Sequence, residues 1–400
     1  MSVLLRKKGE YLHLTGVGKL AVITLITSLA SSIVDTIWSV YMNSFFNSIV
    51  LVGYFSAFLT LVSFISYFTI IPVIERISKS KIYAISLILF AISYVLFAIN
   101  KNLYIFILLA LITTILFTFR ITSFGIIIRD KSNEKYLSRN EGLNYTFMNI
   151  SWVVGPLIAG YISEEIGISS IFLIAAVFIL CSLFLFKISN IKDINIKKKA
   201  DENPIKNFID FFRKKERVIA YIVGGGVSFW WTLIYLFMPL YIIKSGLHEK
   251  WIGFFLFAVS IPLILFTYSA SKYTGKHGFK KVFKIGFLIP AVLSLACFFT
   301  NNIFFVMGLL VLASVGLSMI ESTVEAYFFH IVKGKDEVRF YPPYNTAIET
   351  NHFTGRILSA TLLIFLPFRY IFLIFAFFMF FFFLTSFKVK NIVEKRKNNK

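Results

Sequence analysis

The stretch LYIFILLALITTILFTFRITSFGIII, residues 103–128, carries a single charge, Arg120, and runs straight into the basic cluster Arg129, Lys131, Lys135 and Arg139. A helix of about 20 apolar residues crosses the hydrocarbon core of a bilayer. Lipid offers the backbone no hydrogen-bond partner, so such a run is a helix or a barrel strand. The absence of period-two alternation excludes the strand. Similar runs recur along the chain. They predict twelve spans, at residues 17–44, 49–74, 82–99, 103–128, 141–163, 168–187, 218–243, 250–272, 282–300, 303–331, 342–366 and 368–388. Composition agrees, with 58% hydrophobic and only 15% charged residues, where a soluble domain carries about a quarter charged. The fold class is an all-α membrane protein with twelve transmembrane helices.

All but six of the 41 Lys and Arg fall in one alternating set of gaps and in the two tails. The other set of gaps holds Lys101, Lys244, Lys250 and Arg369, while Arg120 and Arg356 lie inside spans. Cytoplasmic loops of helical membrane proteins carry such an excess, so both ends are expected in the cytoplasm. The net charge of +21 is spread along one membrane face instead of being gathered in a soluble domain. That argues against nucleic acid and for anionic lipid headgroups as partners. Cys181 and Cys297 each sit in an apolar run and are expected to be free thiols. The basic segment 1–19 leads into an apolar run too long for a cleaved signal, so it is read as the entry to span 1. Asn144 and Asn149 begin glycosylation patterns, but inside span 5, and are discounted.

The longest gap, 189–216, holds Lys197, Lys198, Lys199 and Pro204 and divides the spans six and six. The expected organisation is an N-terminal six-helix bundle at 1–188, a cytoplasmic linker at 189–216 and a C-terminal six-helix bundle at 217–400. Within the linker, 205–212 has the pattern of a short amphipathic helix with Phe208, Ile209 and Phe212 on its apolar side. The halves superpose without a gap at an offset of 200: Tyr41 meets Tyr241, Gly53 meets Gly253, Arg76 meets Lys276 and Gly155 meets Gly355. Identity between the halves is little more than composition gives. Loops, charge clusters and glycines nevertheless coincide in register. An even number of spans gives both halves the same orientation, the parallel-repeat architecture of known transporters.

Two segments resemble the major facilitator superfamily of transporters. Ser151-Trp-Val-Val-Gly155-Pro156-Leu-Ile-Ala159-Gly160 is similar to its fifth-helix pattern Gly-x-x-x-Gly-Pro-x-x-Gly-Gly, which is associated with proton-coupled exporters. Two of the pattern's glycines are Ser151 and Ala159 here. The loop Ile71–Lys81, with Glu75, Arg76 and Lys79, resembles Gly-x-x-x-Asp-Arg-x-Gly-Arg-Lys; the acidic–Arg pair and the basic tail remain. The later copy at Gly275–Lys281 keeps the glycine and lacks the acid. The resemblance implies a cytoplasmic gate formed by Glu75 with Arg76 or Arg129, beside the start of span 11 after Tyr341-Pro342-Pro343. An ordinary interfacial pair is the alternative. Physically, Gly155, Pro156 and Gly160 let a neighbouring helix approach closely and permit a bend, so a plain packing seam is the alternative to an exporter signature.

A charge at membrane depth costs about 2.5–3.5 kcal/mol by insertion scales, so it is expected to face water or a partner. Spans 1, 4, 10 and 11 carry such charges: Asp35, Arg120, Glu321, Glu325, Glu349 and Arg356. Spans 3, 6, 9 and 12 carry none and are expected at the lipid-facing rim. In the resembled superfamily the first and fourth helices of each half line the cavity. On span 11, Asn345, Glu349, His352 and Arg356 share one helical face. Glu321 and Glu325 stand one turn apart on span 10, and two acids that close repel, which suits a proton carrier. The favoured reading is a relay of Glu321, Glu325, Glu349 and His352 with Arg356 setting the balance; a fixed salt-bridge network and direct substrate contact are the alternatives. Asp35 shares a polar stripe with Ser28, Ser31, Ser32 and Ser39. It suits a proton or a cationic substrate, or serves as a structural partner of Arg120, which resembles the superfamily's fourth-helix arginine.

Trp38, Trp231 and Tyr235 are candidate pocket aromatics. Gly224–Gly226 lacks a phosphate-loop continuation, which leaves a flexible point or close packing. No nucleotide motif, metal-ligand cluster or nucleophile–base spacing occurs, so no cofactor, metal or enzymatic activity is expected. The sequence reads as a monomeric secondary transporter of the cell membrane, moving a small organic solute by proton-coupled efflux. An uptake symporter for a sugar, amino acid or organic acid is the first alternative, and a non-transporting sensor on the same fold the second.

Overall fold

The computed structural model describes residues 5–8, 11–14, 16–131, 137–189, 204–321, 323–332 and 335–393. Strands β1 (Leu5–Lys8) and β2 (Tyr11–Leu14) pair antiparallel in a short hairpin that the hydropathy pattern does not announce. Helices α1 (Gly16–Phe46), α2 (Ile49–Arg76), α3 (Lys79–Ile99), α4 (Leu103–Lys131), α5 (Leu137–Glu165) and α6 (Ile168–Ile188) follow. The linker contributes α7 (Pro204–Phe212). The second half comprises α8 (Lys215–Thr232), a π-helical turn (Leu233–Phe237), α9 (Met238–Lys244), α10 (Glu249–His277) and α11 (Phe279–Phe298). It ends with α12 (Ile303–Glu321), α13 (Val324–Ile331), α14 (Lys335–Phe365) and α15 (Tyr370–Ser386). Among the described residues ten helical stretches are long and apolar enough to cross a membrane, and Tyr370–Ser386 is a shorter apolar helix. The long, more polar α14 completes the twelve spans.

The helix starts repeat with the halves. Asn102 accepts from the backbone of Tyr104 at 2.8 Å, and Asn302 accepts from Phe304 at 3.0 Å. An Asn side chain ahead of the first turn satisfies donors that have no partner inside the helix. Three spans depart from expectation. Span 7 is α8, the π turn and α9 in succession. Span 10 is broken between α12 and α13, where Thr323 leaves helical geometry with φ −124° and ψ −15°. Span 11 begins at Lys335 and not at 342, so Pro342 and Pro343 lie inside the helix. Asp336 and Glu337 in its first turn favour the earlier start, since acids stabilise the positive end of a helix.

By contact the chain forms two compact units: Met1–Asn47, Leu61–Lys198 and Leu247–Phe257 in the first, and Ser48–Thr60, Lys199–Gly246 and Ala258–Lys400 in the second. The start of α2 therefore belongs with the second unit, and the start of α10 with the first.

In the first unit α1 is the central helix. Ser151 Oγ donates to the Leu25 carbonyl at 2.7 Å, and a Cβ on Gly155 would overlap Ser32. Small residues thus bring α5 against α1, as close helix approach in lipid requires. Thr27 and Ser182 share a 2.6 Å hydrogen bond between α1 and α6. Near the far end of α1, Tyr41 donates to the Phe97 carbonyl at 2.6 Å within an aromatic cluster that includes Phe106 and Phe172.

In the second unit, Gly224–Gly226 is a close-packing seam. A Cβ on Gly224 would stand 2.6 Å from the Tyr344 hydroxyl, one on Gly225 would overlap Asn351, and one on Gly226 would stand 2.7 Å from the Phe287 ring. Gly226→Leu is expected to lower the thermal midpoint of the purified protein, since overpacking costs about 1–3 kcal/mol; an unchanged melt would mean that the seam tolerates bulk. The linker helix α7 is latched to this unit. Arg339 pairs with Asp210 and donates to Asn207 at 2.7 Å, while Arg217 donates to the Asp210 carbonyl at 2.5 Å.

The charge-free spans show the two faces expected of a lipid-facing rim. On α3, Leu87 and Phe90 are buried while Ile85, Ile92 and Ile99 are exposed; on α6, Ile171 and Ile179 are buried while Val177 and Phe184 are exposed. An exposed apolar stripe of that length on a membrane span is a surface for acyl chains.

Candidate functional site

Four partly accessible positions of α1 fall on one line, Thr24, Ser28, Asp35 and Trp38, with Ser31 just buried between them. Arg120 reaches this line from α4. It is only 5% exposed, its Nη2 donates to Ser31 Oγ at 2.9 Å, and its guanidinium lies over Phe90 at 4.8 Å and Phe117 at 5.2 Å. Its Nη1 has no hydrogen-bond partner within the protein. The Tyr94 hydroxyl lies in the fields of both Asp35 and Arg120. The first unit thus holds an acid and a partly unmatched guanidinium near one tyrosine. Trp38 packs its ring against Tyr41, Phe97, Phe106 and Phe172, so much of the indole belongs to the aromatic cluster.

The second unit repeats the line on its first span. Tyr221, Gly224, Trp231 and Tyr235 are partly accessible, and Ser228 is just buried. At the offset of 200, positions 24, 28, 31 and 35 correspond to 224, 228, 231 and 235. Trp231 and Tyr235 have ring centroids 5.5 Å apart, while neighbouring Trp230 is fully buried.

The acids expected one turn apart on span 10 are separated by the break after α12. Glu321 is exposed, whereas Glu325 accepts from the Tyr341 hydroxyl at 2.9 Å. On α14, His352 Nδ1 lies 2.9 Å from Thr232 Oγ1. Glu349 is partly buried on the same helix. Arg356 is aimed at α2, donating to the Ser56 carbonyl at 2.9 Å and to Thr60 Oγ1 at 2.5 Å. His352 and Arg356, expected on one face of span 11, therefore have different neighbours, because a helical face sets direction but not the partner it meets.

Several pairings were not singled out from the sequence. In the first unit, Lys250 on α10 holds Glu164 on α5 through Nζ at 2.6 Å and its own N–H at 3.2 Å. Beside them a Cβ on Gly160 would stand 2.9 Å from the Gly253 Cα, and one on Gly253 would overlap the Pro156 carbonyl. In the second unit, Gly53 meets Ala360, and Tyr54 bonds Thr361 at 2.8 Å. One signal for the first pairing was available: Lys250 is among the few basic residues in the cation-poor gaps. Lys79 Nζ pairs with Asp130 at 2.5 Å on the cation-rich side. The side chains of Glu75, Arg76 and Arg129 fall outside the described residues. No group of three metal-capable side chains occurs among the described residues.

The sequence matches the family model described as Major Facilitator Superfamily over residues 20–268 and 231–400. No curated protein sequence matches the chain. Among solved structures, the nucleoside transporter NupG is similar at 14% identity and a TM-score of 0.74, over 94% of this chain and 100% of that one. A bacterial homologue of the human lysosomal transporter Spinster, inward-facing and unoccupied, matches at 12% identity and 0.73, over 93% and 96% of the two chains. A POT family transporter in complex with 5-aminolevulinic acid matches at 12% identity and 0.73, over 96% and 97%. These likenesses share the twelve-helix fold, and the family match covers nearly the whole chain. The chain therefore belongs to the Major Facilitator Superfamily and is a multi-pass membrane transporter, not an enzyme.

Proposed function

We propose that this transporter couples the movement of a small organic solute to protons and works in export. The observation that carries the reading is the placement of two carboxylates inside membrane spans at accessible positions: Asp35, partly buried on α1, and Glu321, exposed at the end of α12. A carboxylate in such a place is costly unless it exchanges a proton or meets a counter-charge. Taking up a proton changes its charge, and a ligand or proton shifts a conformational equilibrium only by its differential affinity for the two states. Arg120, Glu325, Glu349 and His352 modulate that charge from neighbouring positions. The segment Gly155, Pro156 and Gly160 supports export through its similarity to exporters. The cation-rich gaps support a cell-membrane location with both ends in the cytoplasm, against anionic headgroups. Two six-helix bundles at 1–188 and 217–400, acting as a monomer, complete the proposal.

The test is pH-gradient-driven flux in proteoliposomes. Asp35→Asn, Glu321→Gln and Glu325→Gln are each expected to reduce it by about tenfold or more, in line with losing one charge-dependent step. Flux unchanged in all three rejects proton coupling through these acids. Accumulation only along an inwardly directed proton gradient rejects export.

A further inference from the structure

Helix α7 ends at Phe212, and the apolar span Lys215–Lys244 begins after only Arg213 and Lys214. A chain reaches at most about 3.6 Å per residue, so the end of α7 sits at the level of the lipid headgroups. The two sides of α7 differ. One side is latched to the second unit. Phe211 is fully buried with its ring 6.1 Å from that of Phe340, Asp210 pairs with Arg339, and Asn207 accepts from Arg339 at 2.7 Å. Arg217 donates to the Asp210 carbonyl at 2.5 Å and lies over Phe340 at 4.0 Å. On the other side Ile209 is 55% and Phe212 38% exposed, and Lys206 and Arg213 beside them are exposed as well. Arg213 pairs with Asp210 at 2.9 Å yet keeps 73% of its side chain exposed. Exposed Lys214 and Lys215 continue the basic edge. At about 100° per residue, positions 206, 209, 212 and 213 share one arc, and 207, 210 and 211 lie on the other side.

Large apolar side chains flanked by cations, on a helix fixed by its opposite side, call for a partner that is both apolar and anionic. An apolar protein face would meet the cations without supplying a counter-charge. Anionic headgroups above acyl chains supply both parts. We propose that the exposed side of α7 is a docking surface for anionic lipid. Ile209 and Phe212 enter the boundary between headgroups and acyl chains, while Lys206, Arg213, Lys214 and Lys215 hold lipid phosphates. The Asp210–Arg339 latch then ties the start of α14 to the membrane surface. The proposal rests on the reading that the linker lies against the anionic cytoplasmic leaflet, and it names the residues and the lipid chemistry of that contact.

The experiment places the full chain in nanodiscs of phosphatidylcholine, with and without phosphatidylglycerol. A nitroxide is attached at Ile209→Cys in a Cys181→Ser background, and Phe212→Cys repeats the measurement. Collisions are read with oxygen, which concentrates among acyl chains, and with a neutral nickel chelate, which stays in water. With phosphatidylglycerol the label is expected to meet oxygen and to be shielded from the chelate. In phosphatidylcholine alone, chelate collisions are expected to rise by about twofold or more. Lys206→Gln, Lys214→Gln and Lys215→Gln combined are expected to abolish the difference between the two lipids, with melting curves establishing that the variant is folded. The proposal is overturned if chelate collisions are equal in both lipids, or if the triple variant behaves as the parent. It is overturned too if the label is closed to both reagents, which means that protein covers this side. Sidedness is read separately, from Lys214→Cys in intact cells with a membrane-impermeant maleimide. Labelling there sinks the cytoplasmic reading, whereas nanodiscs expose both leaflets and test the docking by itself.

Discussion

Replacing Gly253 with leucine is expected to cut transport by about tenfold or more while leaving the protein folded. The seam between α5 and α10 is a contact of backbone against backbone. A Cβ at 253 would overlap the Pro156 carbonyl oxygen and stand 3.1 Å from the Gly160 Cα. Neither neighbour is the movable tip of a side chain. A leucine must therefore push the two helices apart, and the Glu164–Lys250 pair at the same seam is lost with the spacing. A wedge at this seam holds the two helices parted, and flux falls if transport requires them to close. Labelling reports this directly. A cysteine at buried Ile252, in a Cys181→Ser background, is expected to react faster with a membrane-impermeant maleimide when Gly253 is leucine. Gly308→Leu is the comparison, because nothing lies within 4 Å of a Cβ there. Equal labelling and full flux in both variants would show that the seam does not take part in the cycle.

Arg120→Leu is expected to lose transport by about tenfold or more and to keep, or slightly raise, the thermal midpoint. The two effects have opposite signs for one reason. A guanidinium buried to 5% exposure with a single side-chain hydrogen bond, to Ser31, is a poor source of stability. Exchanging a buried charge for an apolar side chain of similar volume is often neutral or stabilising. The charge of Arg120, held over the rings of Phe90 and Phe117, is what an apolar residue lacks. Arg120→Lys keeps the charge and loses the planar fork, so only partial recovery of flux is expected. A fall in stability with Arg120→Leu, cured together with flux by Arg120→Lys, would make Arg120 a structural strut.

The sequence carried the membrane class, the number of spans and the repeat. Apolar runs of bilayer length can only be helices in lipid, and the offset between halves needs no coordinates to be seen. The repeat extends to single residues: Asn102 and Asn302 cap equivalent helices. Periodicity was weaker on span 10, because a helical wheel assumes an unbroken helix and Thr323 interrupts it. It was weaker on span 11 as well. Glu349, His352 and Arg356 do lie at helical spacing, but His352 turns to Thr232 and Arg356 to Thr60. Prolines 342 and 343 looked like a boundary and lie inside α14, where the acidic first turn at Asp336 and Glu337 carries the start upstream.

Hydropathy and charge, both properties of single residues summed along the chain, were enough to set the helices, their alternating direction and the twofold internal repeat. Partnership between residues far apart in sequence was decided only in three dimensions: Glu164 with Lys250, Arg356 with Thr60, Arg120 with Ser31. Inside a bilayer apolar side chains are as content with lipid as with one another. Which faces meet is therefore left to small residues and polar contacts, whose matching depends on the shapes of both helices at once.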